Sequence, residues 1–307
     1  MDDRPAPPLT LRIALRALIA GVAGLWLSAC TQLSLVAVNV PALFGDYRRT
    51  TDIAYGELPA QRLDVYIPPA ADARPVVIFL HGGGWDSGDK NQYRFVGATL
   101  AEQNWIGVTI NYRLYPAVKF PGFVDDAALA VQYVREHARE WGGDPQQIYL
   151  LAHSAGAHIA MTLALDPEFL RARGGDGSWL RGVIGLAGPY DFIPFSYDYM
   201  HDLFGPETAY PRSQPVNFAR GDAPPLLLLH GLGDTSVLPR NTINLVKAMQ
   251  QVGGNVEAHY YKGINHTDII AALSVPARGR APVLADIKTF IESAPSGRAI
   301  SAASSEQ

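Results

Sequence analysis

Apolar residues in this chain fall into short, nearly uninterrupted runs separated by stretches with helical spacing. Val76–Leu80, Ile106–Ile110, Ile148–Leu151, Val183–Leu186 and Leu226–Leu229 are runs of this kind. A run without polar alternation predicts a strand covered on both faces, the usual state of a parallel sheet. Ala258–Tyr261 is a sixth candidate. Arg62–Ile67 instead alternates polar with apolar residues, which predicts a half-exposed edge strand, and Pro68 and Pro69 end it. Between these runs, Val124–Tyr133 sets Val124, Ala127, Ala128 and Val131 on one helical face, and helices are also predicted near Pro239–Val252 and after Ala281. Strands that alternate with helices imply an α/β fold, with a mostly parallel central sheet and helices on both faces. Asp191–Gly221, rich in Pro, Tyr and Phe, is too irregular for a core element and suits a small lid or pocket wall.

Composition narrows this picture. The chain has 307 residues, of which 48% are hydrophobic and 18% charged, enough to bury the core of one large α/β domain. Its net charge is −4, and no basic cluster interleaves with aromatics, which excludes nucleic acid as an expected partner. At the N-terminus Arg12 and Arg16 precede an apolar run, Ala17–Ala29, and then Cys30, the sole cysteine. The run suits a signal-peptide core and is short of the ~20 apolar residues of a membrane span. A lone cysteine leaves no disulfide framework and no cysteine metal site. The expected organisation is a signal peptide over 1–29, a tether over 30–50, a catalytic domain over 51–294 and a disordered tail over 295–307.

The candidate chemistry starts at Ile148–Met161, where an apolar strand breaks at Ala152-His153-Ser154-Ala155-Gly156 and a helix of small residues begins. A serine hydroxyl is a poor nucleophile near neutral pH and needs a base, a fixed position and an anion site. The strand-to-helix turn lifts Ser154 Oγ above the sheet and points the Ala155 N–H at a developing oxyanion. The small residues at 152 and 156 let the strand and helix backbones approach. His81-Gly82-Gly83-Gly84-Trp85 follows another buried strand, and its glycines let backbone N–H groups, those of Gly83 and Gly84, reach the same oxyanion. Asp234 and His266 each lie just past a predicted strand end. The order Ser154, Asp234, His266 fits nucleophile, acid and base, with Asp234 holding the His266 tautomer. Asp191, after Gly188-Pro189-Tyr190, is the alternative acid. Among the other histidines, His153 is badly placed to take the proton of its neighbour and is assigned with Trp85 to the substrate pocket. His158, one helical turn on, is expected under the elbow; His81 and His230 are expected to make structural hydrogen bonds.

Taken together these stretches resemble the α/β-hydrolase esterases, in particular the hormone-sensitive-lipase-like group and the feruloyl-esterase and arylformamidase-like carboxylesterases. The resemblance covers about residues 46–292. It rests on the His81–Trp85 oxyanion motif, on Asn111-Tyr112-Arg113-Leu114-Tyr115-Pro116 with Phe120-Pro121, on the elbow Ala152–Gly156 with Ala157-His158, and on Asp234 and His266. Ala152 departs from the usual glycine, and the long N-terminal cap helices of many family lipases are not evident, so a large acyl tunnel is not expected. Leu27-Ser28-Ala29-Cys30 resembles the lipobox of bacterial lipoproteins, which implies a lipid on Cys30 and an extracytoplasmic, membrane-anchored protein of the bacterial cell envelope. The expectation is a serine carboxylesterase acting on short-chain or aryl acyl esters through an acyl-enzyme on Ser154, with a small-molecule ester as its partner. This chemistry requires no cofactor, and the sequence offers no metal cluster. Two alternatives are an arylformamidase-like amide hydrolase using the same three residues and a non-catalytic scaffold on the same fold. The complete ordered set argues against the scaffold.

Overall fold

In a computed structural model, described here for residues 37–69 and 72–293, eight strands form one sheet in the order β1-β2-β4-β3-β5-β6-β7-β8. They are β1 Arg48–Ala54, β2 Arg62–Ile67, β3 Arg74–Leu80, β4 Ile106–Ile110, β5 Gly143–His153, β6 Gly182–Leu186, β7 Leu226–Gly231 and β8 Val256–Tyr261. The pairs β1–β2 and β2–β4 are antiparallel, and every other pair is parallel. Cys30, the preceding signal-like segment and the 295–307 tail lie outside the described residues. Among those described, no helix is long and apolar enough to cross a membrane.

The continuous apolar runs form strands because both faces are covered. Val76, Ile78 and Leu80 of β3, with Ile148, Leu150 and Ala152 of β5, face helices Gly122–His137, Ala155–Leu165 and Arg240–Gln251. Val77, Phe79, Tyr149 and Leu151 face helices Arg94–Glu102, His266–Ala271 and Val283–Ser293. Helix Ala155–Leu165 is buried at every position, as expected of a helix without a polar face. In contrast, helix Arg240–Gln251 buries only the stripe Asn241, Thr242, Leu245 and Met249.

Two expectations are corrected. β2 is not a half-exposed edge strand: it lies between β1 and β4, and its last five residues are buried. Its polar Asp64 is fully buried, with Lys90 at 2.8 Å and Arg49 at 2.6 Å. Burial opposes the Asp64 charge, but the bonds from Lys90 and Arg49 hold its carboxyl below the usual range. The edge is β1, a polar strand that starts at Arg48 and takes in the last residues of the 30–50 stretch. At the other edge, β8 is mostly half-exposed rather than buried, because among the described residues no strand lies beyond it.

The parallel register brings the functional loops together. Leu80 pairs with Ala152, His153 with Leu186, Leu186 with Leu229 and Gly231 with Tyr261. The carboxyl ends of β3, β5, β6, β7 and β8 therefore form one rim, and the loops leaving it share one side of the sheet. Such a rim is where open parallel sheets bind ligands.

Candidate active site

Ser154 caps helix Ala155–Leu165 at φ 54° and ψ −122°, outside the ordinary regions for a non-glycine residue. A conformation of this kind costs on the order of 1–3 kcal/mol and persists only where packing over-determines it. The packing is visible at Gly156, where an added Cβ would lie 2.4 Å from the carbonyl oxygens of both Leu80 and His81. Only glycine lets the elbow helix approach the end of β3 so closely. The Ser154 N–H donates to Leu186 O at 3.0 Å, fixing the turn to β6.

The candidate base, His266, arrives from the β8 end. Helix His266–Ala271 is started by Asn265, whose Oδ1 accepts from the N–H groups of Thr267 (3.0 Å) and Asp268 (2.9 Å). This cap holds the His266 backbone, and its Nε2 lies 2.8 Å from Ser154 Oγ. Its Nδ1 donates to Asp234 Oδ2 at 2.7 Å, which leaves Nε2 free to accept from the serine hydroxyl. Asp234 is buried, and burial alone would raise its pKa. Hydrogen bonds from His230, His266 and the Val237 N–H outweigh that and hold its carboxyl well below the usual range. The carboxylate thus stays charged opposite the imidazole. Asp191 is bonded elsewhere: its Oδ2 accepts from Asn244 Nδ2 at 2.6 Å.

The glycine loop faces the same point. Gly83 has φ 128°, and a Cβ there would lie 2.2 Å from Ser87 O. The loop is braced by donation from Ser87 N (2.9 Å) and Ser87 Oγ (2.8 Å) to Gly83 O, and from Tyr199 Oη to Gly84 O (3.0 Å). Among the described residues the N–H groups of Gly83, Gly84 and Ala155 have no hydrogen-bond acceptor. Gly84, Trp85, Ser154, Ala155 and His266 line one cleft of about 180 Å³, closed by Phe192, Pro194, Tyr197, Tyr199 and Met200 from the 191–221 segment and by Val237, Leu238 and Arg240 from the loop after β7. A larger, open depression of about 480 Å³ at the opposite end of the strands, between Tyr47 and Trp141, contains no serine or histidine.

His153 does not line the cleft, contrary to its assignment from the sequence. It lies behind His266, with its Nε2–H donating to His266 O at 2.9 Å and the two ring centroids 4.8 Å apart. Successive strand residues point to opposite sides, and at the end of β5 this turns His153 away from the substrate side. Burial, followed by the nearby His266, pushes its pKa down to about 3. His158 does pack under the elbow: Trp85 Nε1–H donates to its Nδ1 (3.1 Å), and its Nε2–H donates to Ser213 O (2.8 Å). His81 stacks on Tyr112, and His230 bridges Thr242 and Val237 O. Arg240, Ser196 and Ser236 also line the cleft but carry no linear signal in the sequence.

Residues 63–249 match the BD-FAE family. The chain is 32% identical over 260 residues to a probable isoprenylcysteine alpha-carbonyl methylesterase of Arabidopsis thaliana, an alignment that covers 76% of this chain and 60% of the relative. It is 33% identical over 232 residues to a probable carboxylic ester hydrolase of Mycobacterium tuberculosis, covering 68% of this chain and 54% of that one. The chain thus spans about 60% or less of the length of these curated relatives. Among solved structures, esterase B of Lactobacillus rhamnosis superposes with a TM-score of 0.74 at 21% identity, over 90% of this chain and 95% of that one, a likeness of fold. Thermogutta terrifontis esterase 2 phosphorylated by paraoxon superposes with a TM-score of 0.62 at 27% identity, over 80% and 91%.

Proposed function

The chain belongs to the BD-FAE family of α/β-hydrolase esterases, and on that premise we propose that it hydrolyses carboxylic esters through an acyl-enzyme on Ser154. The observation that carries this reading is the continuous set of hydrogen bonds from Asp234 through His266 to Ser154, at 2.7 and 2.8 Å. Ser154 Oγ attacks the ester carbonyl while its proton passes to His266 Nε2, and Asp234 stabilises the imidazolium. The oxyanion takes the idle N–H groups of Gly83, Gly84 and Ala155, each such donor lowering the barrier by on the order of 3 kcal/mol. The intermediate collapses, and His266 returns the proton to the departing alcohol. A water then repeats the sequence against the acyl-enzyme and releases the acid and free Ser154.

The cleft supports short acyl groups. Its volume of about 180 Å³ is below the roughly 300–1,000 Å³ of pockets that hold drug-sized ligands. The deciding experiment combines a fluorophosphonate probe with a substrate panel. Wild type is expected to be labelled on Ser154 and to turn over short-chain 4-nitrophenyl esters, while Ser154→Ala does neither. A panel on which only aryl formamides are hydrolysed would make the chain an amidase, and labelling that survives Ser154→Ala would overturn the nucleophile.

The N-terminal reading is also a proposal: a lipid on Cys30 tethers the domain to the extracytoplasmic face of a bacterial membrane. It draws support from Val40, Leu43 and Phe44, which remain exposed where the chain enters the domain. A single acyl chain binds only marginally, so stable tethering needs a second hydrophobic contact or chain.

A further inference from the structure

Within the cleft around Ser154, charge is one-sided. Among the described residues that line it, Arg240 alone carries a fixed charge, and no Asp or Glu lines it. Asp234, the nearest acid in sequence, is buried and committed to His266, Ser236 and Val237. Asn241, the neighbouring amide, has its oxygen committed: Oδ1 accepts from the N–H groups of Tyr190 (2.9 Å) and Asp191 (2.8 Å), and one N–H of its Nδ2 donates to Leu238 O (3.0 Å). Arg240 itself makes no hydrogen bond or ion pair among the described residues, and its side chain is exposed.

Its backbone, however, is held firmly. Asp234 Oδ1 accepts from Ser236 N and Val237 N at 2.9 Å each, which fixes the loop before it. The three bonds of Asn241 fix the residue after it. The guanidinium is therefore a free head on a fixed stem, at the border of a cleft also lined by Trp85, Phe192, Met200 and two tyrosines. A planar guanidinium with five donors matches a carboxylate.

We propose that Arg240 makes this site selective for esters that carry a carboxylate, either on the acyl part or on the leaving alcohol, within reach of the scissile bond. The inference rests on Ser154 being the nucleophile. An exposed guanidinium–carboxylate contact is modest, so the expected preference is on the order of fivefold rather than a thousandfold.

The test uses matched neutral and anionic esters and reads the ratio of their kcat/KM. One pair places the carboxylate on the acyl part (4-nitrophenyl pentanoate against mono-4-nitrophenyl glutarate), and a second places it on the alcohol (phenyl acetate against 4-carboxyphenyl acetate). In Arg240→Met the anionic-to-neutral ratio is expected to fall about fivefold in at least one pair, mainly through KM. In Arg240→Glu it is expected to fall further, and added salt should shrink the wild-type preference. The pair that responds tells which side of the ester the carboxylate occupies. An unchanged ratio in both pairs overturns the proposal, as does an equal loss on neutral and anionic esters. Failure of wild type to turn over any ester overturns the hydrolase reading beneath it, an outcome distinct from turnover with an unchanged ratio.

Discussion

Replacing Asp234 with asparagine tests the acid at its most specific point. Asp234 Oδ1 accepts from two backbone N–H groups, those of Ser236 and Val237, both at 2.9 Å. Oδ2 accepts from His266 Nδ1–H at 2.7 Å. An asparagine has one carbonyl oxygen and one amino group. The two backbone donors claim the oxygen, which turns the amino group toward His266 Nδ1. Two donors cannot face each other at that distance, so the imidazole must move its proton to Nε2 and accept at Nδ1. Nε2 then cannot take the Ser154 proton. A wrong tautomer of this origin costs about 10⁴ in kcat in a serine protease triad, and a loss of that order is expected here. Weakening two charge-assisted bonds to neutral ones costs on the order of 1–2 kcal/mol, which leaves the protein folded. The control is Asp191→Asn, whose carboxylate meets Asn244 and not His266; its kcat/KM is expected to stay within about threefold of wild type. The assay is kcat/KM on a short-chain 4-nitrophenyl ester, with thermal unfolding followed by circular dichroism. An Asp234→Asn enzyme that unfolds like wild type and keeps more than about a tenth of its activity refutes the tautomer argument.

Stability should fall in mild acid. Burial pushes the pKa values of His81, His153 and His158 down to about 4, 3 and 4, whereas the same imidazoles titrate near ~6.5 when unfolded. The unfolded chain therefore binds more protons below ~6.5, so the full stability present above that pH is lost toward pH ~4 with a slope approaching 4 kcal/mol per unit. Urea denaturation at about pH 7.5 and about pH 5 measures it, and a difference under ~1 kcal/mol contradicts the burial of neutral imidazoles. Gly156→Ala sets a Cβ 2.4 Å from two backbone carbonyls and should cost about 3 kcal/mol or more, while Gly279→Ala, with nothing within 4 Å, should be near neutral. Equal melting temperatures for these two variants would show that the elbow can relax. Cys30→Ser should release soluble or unprocessed protein with its esterase activity intact; native protein that retains residues 1–29 without lipid by intact mass rules out the anchor.

Much of the site was legible because each component follows the end of an apolar run. The runs Val76–Leu80, Ile148–Leu151 and Leu226–Leu229 all became parallel strands, and their register brings the residues after them to one rim. Side-chain direction was not legible. His153 adjoins Ser154 in sequence, yet it backs His266 instead of facing substrate. Arg240 and Asn241 lie in no motif, since what places them in the cleft is a loop pinned by Asp234 and by the backbone of Tyr190. Buried charge misled the reading of β2. Asp64 has the pattern of an exposed residue, and Arg49, Lys90 and the Asp52 N–H, all distant in sequence, make its burial possible. β1 went unseen because Arg48–Ala54 is almost wholly polar, as an edge strand can be.

His158 links Ser154 to the shape of the pocket. It lies one helical turn after Ser154 and uses both ring nitrogens, one toward Trp85 of the glycine loop and one toward Ser213 of the lid segment. That leaves one consistent tautomer: Nδ1 accepts the indole N–H and Nε2–H donates to the carbonyl. Its burial keeps the ring neutral, with its pKa pushed down to about 4, so the tautomer persists across the neutral range. The ring is packed by Phe123, Phe192 and Phe204, and Trp85 lies edge-on to it with centroids 5.2 Å apart. Elbow, oxyanion loop and pocket wall thus converge on a single buried side chain. A free lid could adapt to long acyl chains, whereas a wall tied to the core at Ser213 and to Gly84 through Tyr199 resists expansion. Widening the cleft therefore requires breaking contacts that also hold Trp85 in the wall it shares with Ser154, which couples the size of the cleft to the geometry around Ser154.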